Sequence, residues 1–158
     1  MPFPPIKEFM TRRVITVKPH TPLVEVERLI TGNKLNGVPV VDDASRLLGI
    51  VTEYNLISTR SFIHLPTLQA VLKDLPVLRK DRAEFREAIH EVAAMAAQDV
   101  MDATPLTLPE TAAFEDAARA FNEHHRVNPI VIIDKENRVV GVVSRCDVLR
   151  VFAESHTK

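Results

Sequence analysis

Two short runs in the chain carry the residue types that hold a sugar-phosphate. They read Gly49-Ile-Val-Thr52-Glu-Tyr-Asn55 and Gly141-Val-Val-Ser144-Arg-Cys-Asp147. In each, an apolar strand-like piece ends at a hydroxyl residue, and a side chain with acceptor oxygen follows three positions later. One use of Thr-x-x-Asn and Ser-x-x-Asp is local, since each caps the free N–H groups of a helix start. The other use is a ligand. A helix start facing a cleft offers N–H groups and the positive end of a dipole to a phosphate. The Thr52 or Ser144 hydroxyl adds a hydrogen bond. The Asp147 carboxylate accepts from both hydroxyls of a ribose, the part an acidic residue takes in dinucleotide folds. Gly49 and Gly141 permit close approach of backbone or base.

The elements that position these runs occur twice. Residues 36–57 align with residues 128–149 without a gap, at an offset of 92: Asn36 matches Asn128, Asp42 matches Asp134, Arg46 matches Arg138 and Gly49 matches Gly141. Upstream the offset is 91, where Met10 matches Met101, Thr16 matches Thr107 and Arg28 matches Arg119. Such a period is too long for a solenoid repeat of roughly 20–50 residues. In each copy a β-branched piece (Val14–Val17 or Leu106–Leu108) precedes a helix. Leu23, Val26, Leu29 and Ile30 share one face of the first helix; Phe114, Ala117 and Phe121 share one face of its counterpart. A hairpin follows, Val38–Val41 with Leu47–Val51, then Ile130–Ile133 with Val139–Val143. A last helix starts at Thr52 or Ser144. The order is β-α-β-β-α, twice, an α/β (α+β) fold class. The hairpin strands are apolar throughout, so both faces must be covered. Three strands cannot do that alone; two packed copies can.

The spacing divides the chain into a first copy at 7–57, a helical insert at 58–98 and a second copy at 99–155. In the insert, Pro66 starts a helix with Leu68, Val71, Leu72 and Leu75 on its face. Asp81 and Glu84 start another, with Phe85, Ala88, Ile89, Val92 and Ala96 as its stripe. The insert packs on the pair as a helical hairpin or serves as a docking element; an amphipathic stripe does not decide.

Composition narrows the function. Lys and Arg number 20 against 21 Asp and Glu, a net charge of −1. That leaves no excess of cations for a nucleic-acid backbone. The one cysteine excludes an intrachain disulfide and a four-cysteine metal site. No apolar run approaches the roughly 20 residues of a membrane helix, and the opening residues lack a signal peptide's apolar core. A soluble, cytoplasmic protein is expected. The four glycines make neither a dinucleotide fingerprint nor a P-loop. The six histidines are scattered, and the neighbours His124 and His125 diverge on any helix. No catalytic triad motif surrounds Ser144, so the chain reads as a non-enzyme with no metal site. Cys146, beside Arg145 and a helix start, is a candidate redox thiol.

These residues resemble a tandem pair of cystathionine-β-synthase (CBS) motifs. The motif residues are Gly37-Val-Pro-Val-Val-Asp42 with Gly49-Ile-Val-Thr-Glu-Tyr-Asn55, then Asn128-Pro-Ile-Val-Ile-Ile-Asp134 with Gly141-Val-Val-Ser-Arg-Cys-Asp147. The resemblance implies two motifs packed with pseudo-twofold symmetry and two clefts between them. It implies adenosyl ligands (AMP, ADP, ATP or S-adenosylmethionine, with Mg2+ as a candidate companion), a homodimer, and regulation of an unidentified partner protein. Ser144 and Asp147 match the phosphate and ribose positions of the family motif. Thr52 matches too, but Asn55 stands where the acidic residue is usual. Its neutral acceptor binds a hydroxyl less strongly than a carboxylate does, so the Asp147 cleft is expected to be the better one. The resemblance draws the rest of each cleft from the opposite copy. Val14, Ile15, Asn36, Gly37 and Val38 go with Asp147; Thr104, Pro105, Leu106, Val127, Asn128 and Pro129 go with Asn55. Arg12, Arg13, Arg126 and Arg145 are candidate phosphate partners. The alternative is a ligand-free dimerisation or scaffold module that docks through the insert.

Overall fold

A computed structural model describes residues 3–58 and 94–156. Each copy opens with one turn of helix, α1 (Ile6–Phe9) or α4 (Ala97–Val100). The first copy continues with α2 (Leu23–Gly32), β1 (Gly37–Val41), β2 (Leu47–Thr52) and α3 (Glu53–Ser58). The second continues with β3 (Thr107–Pro109), α5 (Phe114–Glu123), β4 (Ile130–Ile133), β5 (Val139–Val143) and α6 (Arg145–His156).

The helices form where the apolar stripe and the start signals agree. Pro22, with φ preset near the helical value, precedes α2, which buries Leu23, Val26 and Ile30. Before α5 the backbone N–H of Ala113 donates to Asp116 Oδ2 at 2.9 Å, and the helix buries Phe114, Ala117, Ala120 and Phe121. Each hairpin turn is built by one aspartate. Asp42 Oδ1 accepts from the N–H of Ala44 and Arg46, both at 2.9 Å. Asp134 Oδ1 does the same for Glu136 and Arg138. The strands pair antiparallel and their register shifts at equivalent places, between Val40 and Val41 and between Ile132 and Ile133.

Two sequence expectations change. Val14–Val17 is not a strand: the Val14 N–H turns back to the Arg12 carbonyl, and only Val17 bridges Val40 in parallel. That bridge is the counterpart of Leu108 against Ile132 in β3 and β4. Ala96, assigned to the stripe of the insert's second helix, is extended and bridges Pro22. The remaining insert residues assigned to two helices, Pro66 to Val92, lie outside the described residues.

The copies are interlocked about a pseudo-twofold axis. At the axis Arg46 faces Arg138, with the Leu47 N–H donating to the Asn137 carbonyl at 2.9 Å and the Val139 N–H to the Ser45 carbonyl at 3.1 Å. Away from the axis, each opening segment crosses over. Thr11 pairs with Val142 of β5, and Asp102 pairs with Ile50 of β2, each through two backbone hydrogen bonds of 2.9–3.0 Å. The opening helices therefore pack in the opposite core. Ile6 and Met10 join Ala117, Phe121, Ile130, Ile132 and Val143; Ala97 and Val100 join Val26, Ile30, Val38, Val40 and Val51. Gly49 and Gly141 make the crossing possible. A Cβ on Gly49 would lie 2.6 Å from the Asp102 carbonyl oxygen, and one on Gly141 would lie 2.5 Å from Met10 Sδ.

Candidate functional site

The hydroxyl residues and their partners sit at the ends of β2 and β5, where the strands hand over to α3 and α6. Both junctions use the same hydrogen bonds. Asn55 Oδ1 accepts from the Thr52 N–H at 2.8 Å and the Thr52 hydroxyl at 2.7 Å. Asp147 Oδ2 accepts from the Ser144 N–H at 2.9 Å and the Ser144 hydroxyl at 2.7 Å. The capping use is therefore present in both copies, and each hydroxyl proton is already directed at its own helix. A hydroxyl here meets a phosphate by rotating its proton away from the cap, or through a lone pair if the phosphate is protonated.

The two junctions then diverge. Asp147 is buried, and its second oxygen accepts from the Arg150 guanidinium one turn on. Asn55 stands beside a cavity of about 220 Å³ between the copies. Ile50, Thr52, Tyr54 and Asn55 wall it on one side; Asp102, Pro105, Leu106, Arg126, Val127, Asn128 and Pro129 wall it on the other. Of the residues expected around Asn55, Thr52, Pro105, Leu106, Val127, Asn128 and Pro129 are thus brought together with it. Thr104 stands just behind, its N–H donating to Asp102 Oδ1 at 2.9 Å. The cavity at this junction is built on the neutral side chain of Asn55.

The residues expected around Asp147 are placed differently. Val38 is fully buried within the first core, so its side chain packs against strand and helix. Gly37 is buried at the axis, where a Cβ would lie 3.3 Å from Cδ of Pro129, its own counterpart. Asn36 turns its carbonyl to the Glu53 N–H at 3.1 Å. Val14 and Ile15 are half-buried, Ile15 against the first core.

The four arginines also separate. Arg126 lines the cavity: its Nη1 donates to the Tyr54 hydroxyl at 3.2 Å, and its guanidinium lies 5.5 Å from the Tyr54 ring centre. Tyr54 is a cavity residue absent from the sequence expectations; it occupies an unassigned position between Thr52 and Asn55, and only the contact across the copies marks it. Arg145 is instead a clip. It donates to the carbonyls of Phe121, His124, His125 and Val127 and stacks 5.0 Å from the Phe121 ring centre. Arg12 donates to the Lys7 carbonyl at 2.8 Å, and Arg13 is exposed. Cys146 is exposed.

Among the described residues, no three His, Cys, Asp or Glu side chains converge into a metal-holding group. The carboxylate lining the cavity, Asp102, has Oδ1 engaged by Thr104. A protein-held Mg2+ does not fit this donor set. Among the described residues no helix is long and apolar enough to cross a membrane.

Comparison with known proteins agrees with this architecture. The chloroplastic CBS domain-containing proteins CBSX1 and CBSX2 of Arabidopsis thaliana are 26% and 28% identical over 148 residues, covering 92% of this chain and 62% of each relative. The chain thus spans less than two thirds of those relatives. The crystal structure of CBSX2 in complex with AMP superposes with a TM-score of 0.70 at 25% identity, covering 96% of this chain and 97% of that one. The family profile described as "CBS domain" matches twice, at residues 6–61 and 97–154. With that profile spanning most of its length in two copies, the chain belongs to the CBS domain family and carries a tandem CBS pair.

Proposed function

We propose that this chain is a regulatory module that binds an adenosine-containing ligand between its two CBS copies and passes the binding event to a partner protein. One observation carries the reading: the cavity at Asn55 is walled by both copies at once. A molecule held there ties β2 and α3 of the first copy to the 126–129 loop of the second. Binding therefore favours whichever arrangement of the copies fits the ligand, by as much as its affinities for the two arrangements differ. Likeness to CBSX2, solved with AMP, supports an adenosyl ligand. At about 220 Å³ the cavity is smaller than the roughly 300–1,000 Å³ that encloses a drug-sized molecule. A base or sugar fits inside while charged groups lie at the rim. Any Mg2+ arrives with a polyphosphate rather than on protein ligands. The module works as a homodimer, a reading motivated by Ile57 and Leu149, equivalent residues of α3 and α6 that are 77% and 66% exposed.

The test is calorimetric titration with AMP, ADP, ATP and S-adenosylmethionine, with melting and light scattering on the same samples. At about 100 times its dissociation constant the right ligand adds roughly 2.7 kcal/mol of stability. If none of the four gives heat or raises the melting temperature, the ligand-binding reading is wrong. A scaffold module then replaces it, a reading favoured at the second junction by Asp147, whose two oxygens are already engaged. A mass of one chain refutes the homodimer.

A further inference from the structure

We infer that the groove between β3 and α5 of the second copy is a separate ligand site, which takes a small organic cation with an apolar body and works against the cleft at Asn55. The site stands by itself; its opposition to the cleft rests on the proposed function. The groove encloses about 530 Å³, within the roughly 300–1,000 Å³ of small-molecule pockets. Its origin is a difference between the copies. At the offset of 91, Ala120 takes the place of Leu29. Leu29 packs against the first core. Ala120 ends at Cβ and leaves that space open, so that with Leu106, Leu108 and Ala112 it forms an apolar floor.

The rim sets the sign of the ligand. Asp116 is engaged: Oδ2 accepts from the Ala113 N–H, and Oδ1 pairs with Arg119 at 3.6 Å. Those two charges offset each other. Glu123, the last residue of α5, also lines the groove, and among the described residues its carboxylate makes neither a hydrogen bond nor an ion pair. The last turn of α5 carries no basic residue, and Arg145 turns its guanidinium to the Phe121, His124 and His125 carbonyls. An unpaired carboxylate at the negative end of a helix favours a cation. The groove is also joined to the cleft at Asn55. Leu106 walls both, so one side chain divides the two spaces. His124 lines the groove, and its carbonyl accepts at 3.1 Å from the N–H of Val127, which lines the cleft. At about 220 Å³ the cleft must widen to enclose a base together with its sugar, and the groove is space into which Leu106 can retreat. A molecule in the groove holds Leu106 forward and weakens the nucleotide.

The experiment titrates the full chain with tryptamine, tryptophol and indole-3-propionate, which share an indole body and differ in charge: positive, neutral and negative. It is run at pH 8, where an ordinary imidazole is neutral, on wild type, Ala120→Leu and Glu123→Gln, with unliganded melting as the folding control. Wild type should prefer tryptamine over tryptophol by roughly two- to fivefold, the worth of an exposed ion pair, and bind indole-3-propionate most weakly. Ala120→Leu, which restores the side chain of the first copy, should lose tryptamine binding. Glu123→Gln, at an exposed position, should erase the preference over tryptophol while tryptophol binding stays; it decides the matter should Ala120→Leu unfold. Saturating tryptamine should weaken AMP by roughly fivefold, and AMP should weaken tryptamine by the same factor. Tryptamine that binds no better than indole-3-propionate, or that keeps its affinity in folded Ala120→Leu, overturns the site. AMP and tryptamine that bind independently overturn the opposition. AMP that gives no heat refutes the proposed function and the opposition with it, while the tryptamine series still decides the groove.

Discussion

Gly49→Ala tests the interlock at its tightest point. The added Cβ would sit 2.6 Å from the Asp102 carbonyl oxygen and 2.7 Å from Met101 Sδ. The methionine can swing away, but the carbonyl cannot. Asp102 is fixed to Ile50 by two hydrogen bonds of 2.9 Å, so moving its oxygen breaks the bridge beside it. Two backbone hydrogen bonds contribute about 0.5–1.5 kcal/mol each. Overpacking costs about 1–3 kcal/mol. Reduced freedom of the unfolded chain returns about 0.4–1 kcal/mol. The net loss is near 3 kcal/mol, a fall of about 6–12 °C in melting temperature for a chain of this size. Gly141→Ala should cost less. There the closest atom is the flexible Met10 Sδ at 2.5 Å, and the nearest backbone oxygen, that of Thr11, is 3.2 Å away. Gly32→Ala is the control: nothing lies within 4 Å of its Cβ, so its stability should stay within about 0.5 kcal/mol of the parent. Urea unfolding followed by far-ultraviolet circular dichroism ranks the three. Gly49→Ala as stable as the parent, or Gly141→Ala the more damaging, would refute the crossing of Asp102 over Gly49.

Further outcomes follow from the turns and the clip. The backbone N–H of Arg46 holds the Asp42 carboxyl below its usual value of 3.8, helped by the Arg46 side chain and opposed by burial; Arg138 does the same for Asp134. A depressed value stabilises the fold above the unfolded value and is lost as pH falls through the folded one. Asp42→Asn and Asp134→Asn should therefore lower the urea midpoint at neutral pH, with the gap to wild type closing below 3.8; a gap that persists in acid contradicts the assignment. Arg145→Ala removes four carbonyl contacts and a ring contact. It should cost about 1.5–3 kcal/mol and weaken AMP binding by loosening Val127 and Asn128. Unchanged melting in that variant would show the clip to be idle.

Local pattern carried much of this fold. The offset between copies predicts counterparts, and Arg46 meets Arg138 face to face. Hairpins and long helices appear where apolar runs and Asp42, Asp134 or Pro22 punctuate them. What escaped has physical causes. The turns Ile6–Phe9 and Ala97–Val100 are too short to show a helical period, and their burial is decided by the other copy. Arg145 acts on backbone oxygens some twenty residues away, which no side-chain motif records. The Arg150 contact to Asp147 lies one helical turn on, and the Tyr54–Arg126 pair joins residues seventy-two positions apart, so neither belongs to a local motif.

The exchanged opening helices also say what one half would do alone. A single copy has a hydrophobic vacancy where its partner's first turn belongs, and a first turn of its own with nowhere to enter. Two identical halves would meet both needs by trading arms, as the two copies within this chain do.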